Sequence, residues 1–215
     1  MSFFVEYLFE ETEKTSDAKV TRKYDQILHG VRDLLRKYPD FKIYVTGHSL
    51  GAAVSTITAI YFACESDLPK PISCINVASP RNCGKSSFNA VHHLEKTKKI
   101  RLLRGVNEDD LITTAPSIGY HHVGFQVTTH TGGACSKAGP PPPEIMYMNP
   151  DDGYFKWMRK SWSNSMFTNL NASYDHNDYE YTERIYKAKI YLEKQSLNEL
   201  YSDESVVGFK LIDTD

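Results

Sequence analysis

No apolar run in the 215-residue chain approaches the roughly twenty residues that a membrane-spanning helix needs. The chain also lacks a charge excess. Its 25 Lys and Arg stand against 27 Asp and Glu, a net charge of −2, which gives no reason to expect a nucleic-acid partner. Cysteine is scarce: Cys64, Cys74, Cys83 and Cys135 form no C-x-x-C pair and no framework-like spacing. Free thiols in a reducing compartment are therefore expected. His and Cys nowhere take ligand spacing, so no metal is expected. The opening MSFFVEYLFEE has no basic region and its apolar run is broken at Glu6 and Glu10, a poor secretion signal. A cytoplasmic placement is the default on that ground, and the single sequon, Asn171-Ala172-Ser173, carries little weight without such a signal. Internal repeats are absent.

What is present suits a single globular domain. Apolar residues make up 40% of the chain, with 14 Tyr and 10 Phe for a core or an apolar cleft. Over residues 19–38, Val20, Tyr24, Ile27, Leu28, Val31, Leu34, Leu35 and Tyr38 recur at three- and four-residue steps. That spacing predicts a helix with one apolar stripe, stopped by Pro39. FKIYVTG (41–47) reads as a buried strand and residues 50–64, small at first and apolar throughout, as a helix pressed on a sheet. The alternation continues with strands at 72–79, 99–106 and 121–129 and a helix at 85–96. A mostly parallel sheet flanked by helices follows from that order. Residues 131–150, with PPPP at 140–143, read as a loop, and a helix over about 178–200 closes the chain.

Between the first strand and the following helix lies Gly47-His48-Ser49-Leu50-Gly51, a match to G-x-S-x-G. Chance alone gives this string in about 0.07 of chains this long, so the string decides little. Its setting decides more, because a strand-to-helix turn is where a nucleophile elbow has to sit. The two glycines are expected to avoid backbone collisions in a tight turn. The turn lifts the Ser49 hydroxyl clear of the sheet at a helix N-terminus, where the Leu50 N–H serves as an oxyanion donor.

A serine hydroxyl is a weak nucleophile and needs a base that is itself held by an acid. After the strand ending near Val106 the candidate acids are Glu108, Asp109 and Asp110. The candidate bases are His121, His122, His130 and His176, while His92 and His93 precede the acid and read as helix surface. Residue types and order leave these alternatives open.

The segment KIYVTGHSLGAAVS resembles the elbow of the fungal-lipase-like (class 3) family of α/β-hydrolases. VASPRN (77–82) is similar to the end of that family's next strand, and Val106 to Ile112, with Pro116 following, resembles its V-N-x-x-D-I-V-x-x-x-P acid loop. The resemblance implies Asp110 as the acid. Gly119-Tyr120-His121-His122-Val123-Gly124 resembles a strand entry whose histidine is not the base, so His122 is implied to be structural. Tyr174-Asp175-His176-Asn177-Asp178-Tyr179 resembles the D-H-x-x-Y segment that carries the base, implying His176. It further implies an α/β-hydrolase fold over 1–215, no cofactor, and hydrolysis of acylglycerol or related lipid esters through an acyl-enzyme on Ser49.

The departure is at the front. The family places several strands and an R-G-[ST] segment, source of a second oxyanion donor, ahead of the elbow strand. Only about forty residues precede it here and none resembles that segment. A lipase-like domain lacking its N-terminal strands is expected, with the apolar edge of the elbow strand open to self-association. A truncated product, a form that completes its sheet on another chain, and a relic without activity are the three readings of that gap. The last corresponds to a lipid- or partner-binding module in place of an enzyme. The second glycine common after the elbow is Ala52 here. Finally, the aromatics of 154–167 (YFKWMRKSWSNSMF) read as a cover over the cleft or core in preference to a contact with a lipid surface.

Overall fold

A computed structural model of the protein describes residues 3–11, 22–108, 110–116, 118–130, 142–148, 175–194 and 196–201. Asp109, Cys135, the sequon and the 154–167 segment lie outside them. In chain order the elements are α1 (Phe3–Phe9), α2 (Lys23–Lys37), β1 (Tyr44–His48), α3 (Leu50–Cys64), β2 (Ile72–Val77), α4 (Lys85–Lys96), β3 (Ile100–Asn107), a 3₁₀ turn (Ile112–Thr114), β4 (Phe125–Thr129), β5 (Glu144–Tyr147), α5 (Asp178–Leu192) and α6 (Leu197–Leu200). The five strands form one sheet in the order β1-β2-β3-β4-β5. Strands β1 to β4 run parallel and β5 pairs antiparallel to β4.

The helices expected at 50–64 and 85–96 are α3 and α4, residue for residue. Three expectations need correction. The stretch 131–150 is not wholly loop, since Glu144–Tyr147 adds a strand to the free edge of β4. The strand placed at 121–129 begins only at Phe125, after Gly124 at φ +75°. A Cβ there would sit 2.4 Å from the Leu102 Cβ, so close approach to β3 as well as turn geometry demands glycine. The closing helix breaks after Leu192 and resumes at Leu197, where Ser196 and Glu199 form a reciprocal cap. The N-terminal segment forms helix α1, which packs on α2 and α3.

Strand β1 has a single strand neighbour among the described residues. The bonds Ser73 N–H to Ile43 O (3.1 Å) and Ser49 N–H to Val77 O (3.2 Å) set its phase. The alternation of a parallel ladder then turns the backbone groups of Tyr44, Thr46 and His48 away from β2. The apolar stripe of α2 splits lengthwise. Tyr24 and Leu28 are buried on the core side, whereas Ile27, Leu34 and Tyr38 are exposed, with Tyr38 stacked on exposed Phe41 at 4.7 Å.

Small residues at the start of α3 let it sit close on β1 and β2, with Ala52 and Ala53 fully buried. Asn76 of β2 then fastens the first turn. Its amide donates to Ala52 O (3.0 Å) and Thr56 Oγ1 (2.7 Å) and accepts from Ser55 Oγ (2.6 Å).

A second polar cluster lies under α4. His92, read from sequence as helix surface, is buried, with Nδ1 3.2 Å from the Tyr147 hydroxyl. Glu95, also buried, receives the hydroxyls of Tyr147 and Tyr201, the latter at 2.6 Å. Tyr201 in turn accepts the Leu102 N–H at 2.8 Å, on β3 just before its pairing with β4 begins. Burial pushes the Glu95 carboxyl up from 4.5 to about 7 against the pull of the two hydroxyls. A carboxyl whose folded-state value is raised binds its proton more tightly when folded. Its stabilising effect is complete below about pH 4.5 and is lost as pH rises through about 7. Buried His122 acts oppositely in part of this window, so the comparison to make is with Glu95→Gln. Urea unfolding from pH 4.5 to 8 is expected to show the parent chain losing about 3 kcal/mol relative to that variant as pH rises. A constant difference would place the ionisation of Glu95 elsewhere.

Candidate active site

The nucleophile candidate owes its position to a close backbone contact. Ser49 follows β1 directly, at φ 54° and ψ −123°, and α3 begins at the next residue. Such a conformation costs a non-glycine residue about 1–3 kcal/mol. The turn is tight enough that a Cβ at Gly47 would lie 2.3 Å from the Gly51 carbonyl oxygen. A Cβ at Gly51 would meet nothing within 4 Å. The expectation that both flanking glycines relieve a clash therefore holds at 47 and fails at 51, where the backbone supplies the obstacle and the α-carbon faces open space. Leu50, as first residue of α3, has no intrahelical acceptor for its N–H.

The acid candidate comes from the end of β3. Asp110 is 1% exposed, three residues beyond Asn107. The Ile112 N–H donates to Oδ1 at 2.9 Å, and the Thr113 hydroxyl donates to the Asp110 carbonyl at 2.8 Å. His122 supports this turn from below, with Nε2 2.7 Å from Thr113 O and 3.1 Å from Arg104 Nη1. Burial and then the Arg104 charge push the His122 imidazole well below its ordinary value, so it stays neutral. A neutral, buried, carbonyl-bonded histidine far from Ser49 in the hydrogen-bond network fits the structural role expected of it.

The base candidate enters just ahead of α5. His176 Nδ1 is 2.9 Å from Asp110 Oδ2, and its Nε2 is 2.7 Å from Ser49 Oγ. The carboxylate fixes the tautomer: Nδ1 carries the proton and Nε2 is free to accept one from the serine. Of the other histidines, His130 pairs with Glu108 at 2.8 Å and His121 pairs its backbone with Cys83. Neither joins the serine. Ser49, Asp110 and His176 are thus brought together, with the loops carrying them all at the carboxyl ends of strands or beside them, where open α/β sheets hold their sites.

Three contacts that residue types did not announce complete the arrangement. The Tyr181 hydroxyl donates to Asp110 Oδ2 at 2.6 Å. His48 Nε2 meets the His176 carbonyl at 3.0 Å, and Asn107 Nδ2 donates to the Asp175 carbonyl at 2.9 Å. Tyr179, the tyrosine of the D-H-x-x-Y match, is 64% exposed, while Tyr181 is 2% exposed. Two residues turn a helix by about 200°, so only one of the pair can face the sheet. The spacing Tyr181, Arg184, Ala188, all buried, was the available signal for which one.

The model of the family described as Lipase (class 3) matches residues 5–120. The chain belongs to the class 3 lipase family. Among curated relatives it is 36% identical over 121 residues to phospholipase A1-IIgamma of Arabidopsis thaliana, an overlap of 52% of this chain and 28% of the relative. To phospholipase A1-II 3 of Oryza sativa subsp. japonica it is 35% identical over 117 residues, 50% and 27% of the two chains. The chain thus spans under a third of the length of these relatives. Among solved structures, Rhizomucor miehei triacylglyceride lipase superposes with a TM-score of 0.50 at 21% identity, covering 78% of this chain and 62% of that one. This likeness speaks for the α/β-hydrolase fold. The class 3 lipase match takes in Ser49 and Asp110 and ends before His176, so the base rests on geometry.

The elbow contact yields a paired expectation. Gly47→Ala should destabilise the fold by about 3 kcal/mol, since backbone must move. Gly51→Ala should stay within about 0.5 kcal/mol of the parent. Equal effects on urea midpoints would mean that the turn is not built on the Gly47–Gly51 approach.

Proposed function

We propose that this chain is a serine carboxylic-ester hydrolase of lipase type that cleaves acylglycerol or related lipid esters through an acyl-enzyme on Ser49. The single observation carrying this reading is the bridge made by His176, 2.7 Å from Ser49 Oγ on one side and 2.9 Å from Asp110 on the other. In the reaction, His176 Nε2 takes the Ser49 proton as Oγ attacks the ester carbonyl. The tetrahedral oxyanion is met by the Leu50 N–H at the α3 N-terminus. Collapse expels the alcohol, which leaves with the proton held by His176. Water, deprotonated by the same nitrogen, then attacks the acyl-serine and releases the acid. Asp110 compensates the imidazolium in both halves. No metal or organic cofactor enters these steps. The substrate class draws on the names of the relatives, phospholipase A1 and triacylglyceride lipase, which share a glycerolipid ester.

A second reading, a lipid- or partner-binding module without turnover, is favoured by one sequence feature: nothing ahead of the elbow resembles the family's second oxyanion-donor segment. Loss of one such donor costs about 10²–10³ in rate. Hydrolysis of dispersed phosphatidylcholine and of triacylglycerol by the purified chain separates the readings. Free fatty acid release should vanish in Ser49→Ala and fall on the order of 10³–10⁴-fold in Asp110→Asn, with Asp109→Asn near the parent. Release by Ser49→Ala at the parent rate would overturn the mechanism, and no release by a folded parent chain would favour the binding module.

The edge of β1 that no described strand covers, with exposed Tyr44 on that strand, supports self-association by strand pairing. Thr46→Pro removes an outward N–H and should lower the sedimentation coefficient at high protein concentration. An unchanged, concentration-independent monomer would end that idea. The 154–167 aromatics, outside the described residues, are read as a cover over the cleft or core in preference to a contact with a lipid surface, and a cytoplasmic placement is the reading that suits Cys64, Cys74 and Cys83, free among the described residues.

A further inference from the structure

Three donors converge on the Asp110 carboxylate, and one of them is the side chain of a residue outside the triad. Asp110 Oδ2 faces two partners, His176 Nδ1 at 2.9 Å and the Tyr181 hydroxyl at 2.6 Å. The Tyr181 oxygen also accepts the Asn107 backbone N–H at 3.1 Å. That bond occupies the side of the hydroxyl oxygen facing β3 and leaves its single proton directed at the carboxylate. Tyr181 is buried, and burial followed by the Asp110 charge pushes its phenol far above the ordinary value, so it remains a donor at any working pH. The carboxylate is thereby held at three points, by the Ile112 N–H on Oδ1 and by Tyr181 and His176 on Oδ2. The Ile112 N–H and His176 each hold one oxygen; the phenol adds a second bond on the oxygen that faces His176, so that turning Oδ2 away from Nδ1 breaks three bonds in place of two.

We propose that Tyr181 is a positioning residue of the active site, which fixes the Asp110 carboxylate against His176 Nδ1 and takes up part of its charge, with the Asn107 N–H orienting the phenol. The inference rests on the proposed hydrolase mechanism, since it concerns how the acid meets the base. Its geometry is reinforced by the neighbouring contacts: the Tyr181 ring stands edge-on to His48 at 5.9 Å, and His48 Nε2 holds the His176 carbonyl. Tyr181 therefore braces both the acid and, through His48, the backbone of the base. Other ionisable groups facing His176 or its carboxylate are His48 of β1 and Asp110 itself, with Arg104 of β3 behind the carboxylate and Asp175 tied to Arg184 of α5.

Removing the hydroxyl should have two effects with different signatures. The carboxylate is held less firmly against Nδ1, which slows proton transfer from Ser49. More of its charge then faces Nδ1, which favours the imidazolium and moves the acid limb of the pH–rate profile upward. The test is the second-order rate of reaction with a fluorophosphonate between pH 5 and 9, for the parent, Tyr181→Phe and Tyr179→Phe, each checked by thermal melting. Tyr181→Phe is expected to react about tenfold more slowly, the loss of one hydrogen bond's worth of alignment, with its midpoint displaced to higher pH. Tyr179→Phe should match the parent.

Failure of the underlying mechanism reads differently: a folded parent chain that does not react at all. If the parent reacts and Tyr181→Phe shows the same rate and midpoint with only a lowered melting temperature, Tyr181 is structural and the inference falls. Should Tyr181→Phe fail to fold, replacement of Tyr181 by 3-fluorotyrosine decides the matter. That phenol is a stronger donor of the same shape, so the midpoint should move to lower pH, and a midpoint that stays or rises contradicts the assignment.

Discussion

The absence of a side chain at Gly47 is the constraint on which the rest of the site depends. It lets the Gly51 peptide come within the distance a Cβ would fill, so α3 can begin one residue after Ser49. Everything downstream uses that compactness. The serine is forced to φ 54°, its hydroxyl stands at the sheet's carboxyl edge, and the Leu50 N–H, first of α3, has no intrahelical acceptor and is left for the oxyanion of the proposed reaction. The strain is carried by burial and hydrogen bonding elsewhere: Ala52 and Ala53 pack tightly on the sheet while Asn76 binds Ala52 O and Thr56 from the adjoining strand.

A buried carboxylate at the end of β3 poses the complementary problem, because a charge withdrawn from water has to be compensated locally. Each of Asp110's neighbours answers it from a different element. The 3₁₀ turn supplies a backbone N–H, α5 supplies a phenol, and the residue before α5's cap supplies the imidazole. Neutral His122 holds the turn by its Thr113 carbonyl. Asn107 serves as the junction, since it orients Tyr181 through its N–H, holds Asp175 O with its side chain, and accepts the Thr129 hydroxyl at 2.7 Å. The sheet therefore positions the acid and the base through one residue.

How much of this was legible beforehand depends on whether a feature is local. The elbow was legible because its requirements, a short strand, Gly47, a serine and a helix of small residues, are contiguous. Elements α3 and α4 were legible for the same reason, their periodicity and flanking turns being self-contained. Asp110 and His176 were separable from Asp109, His122 and His130 only through the family resemblance, since residue types and order do not encode which side chains turn toward Ser49. Strand β5 was hidden behind a proline run, and its pairing with β4 is a tertiary choice that composition cannot express. His92 was misjudged because a polar side chain on an amphipathic helix is ordinarily outside; here Tyr147 of β5 supplies the partner that makes burial tolerable. Tyr181 gave no signal in the sequence, because which tyrosine of α5 faces the sheet depends on the helical phase, which the buried triplet Tyr181, Arg184 and Ala188 fixes.

The account's central claim is that Ser49 is an activated nucleophile held by His176 and Asp110 in this chain as it stands. Tandem mass spectrometry of the intact chain after exposure to a fluorophosphonate, with the adduct mapped to a single residue, tests it most directly. The account predicts one phosphonyl group per chain, on Ser49, at neutral pH without any added metal. Folded chain that takes up no phosphonyl group, or takes it up on another hydroxyl, would contradict it.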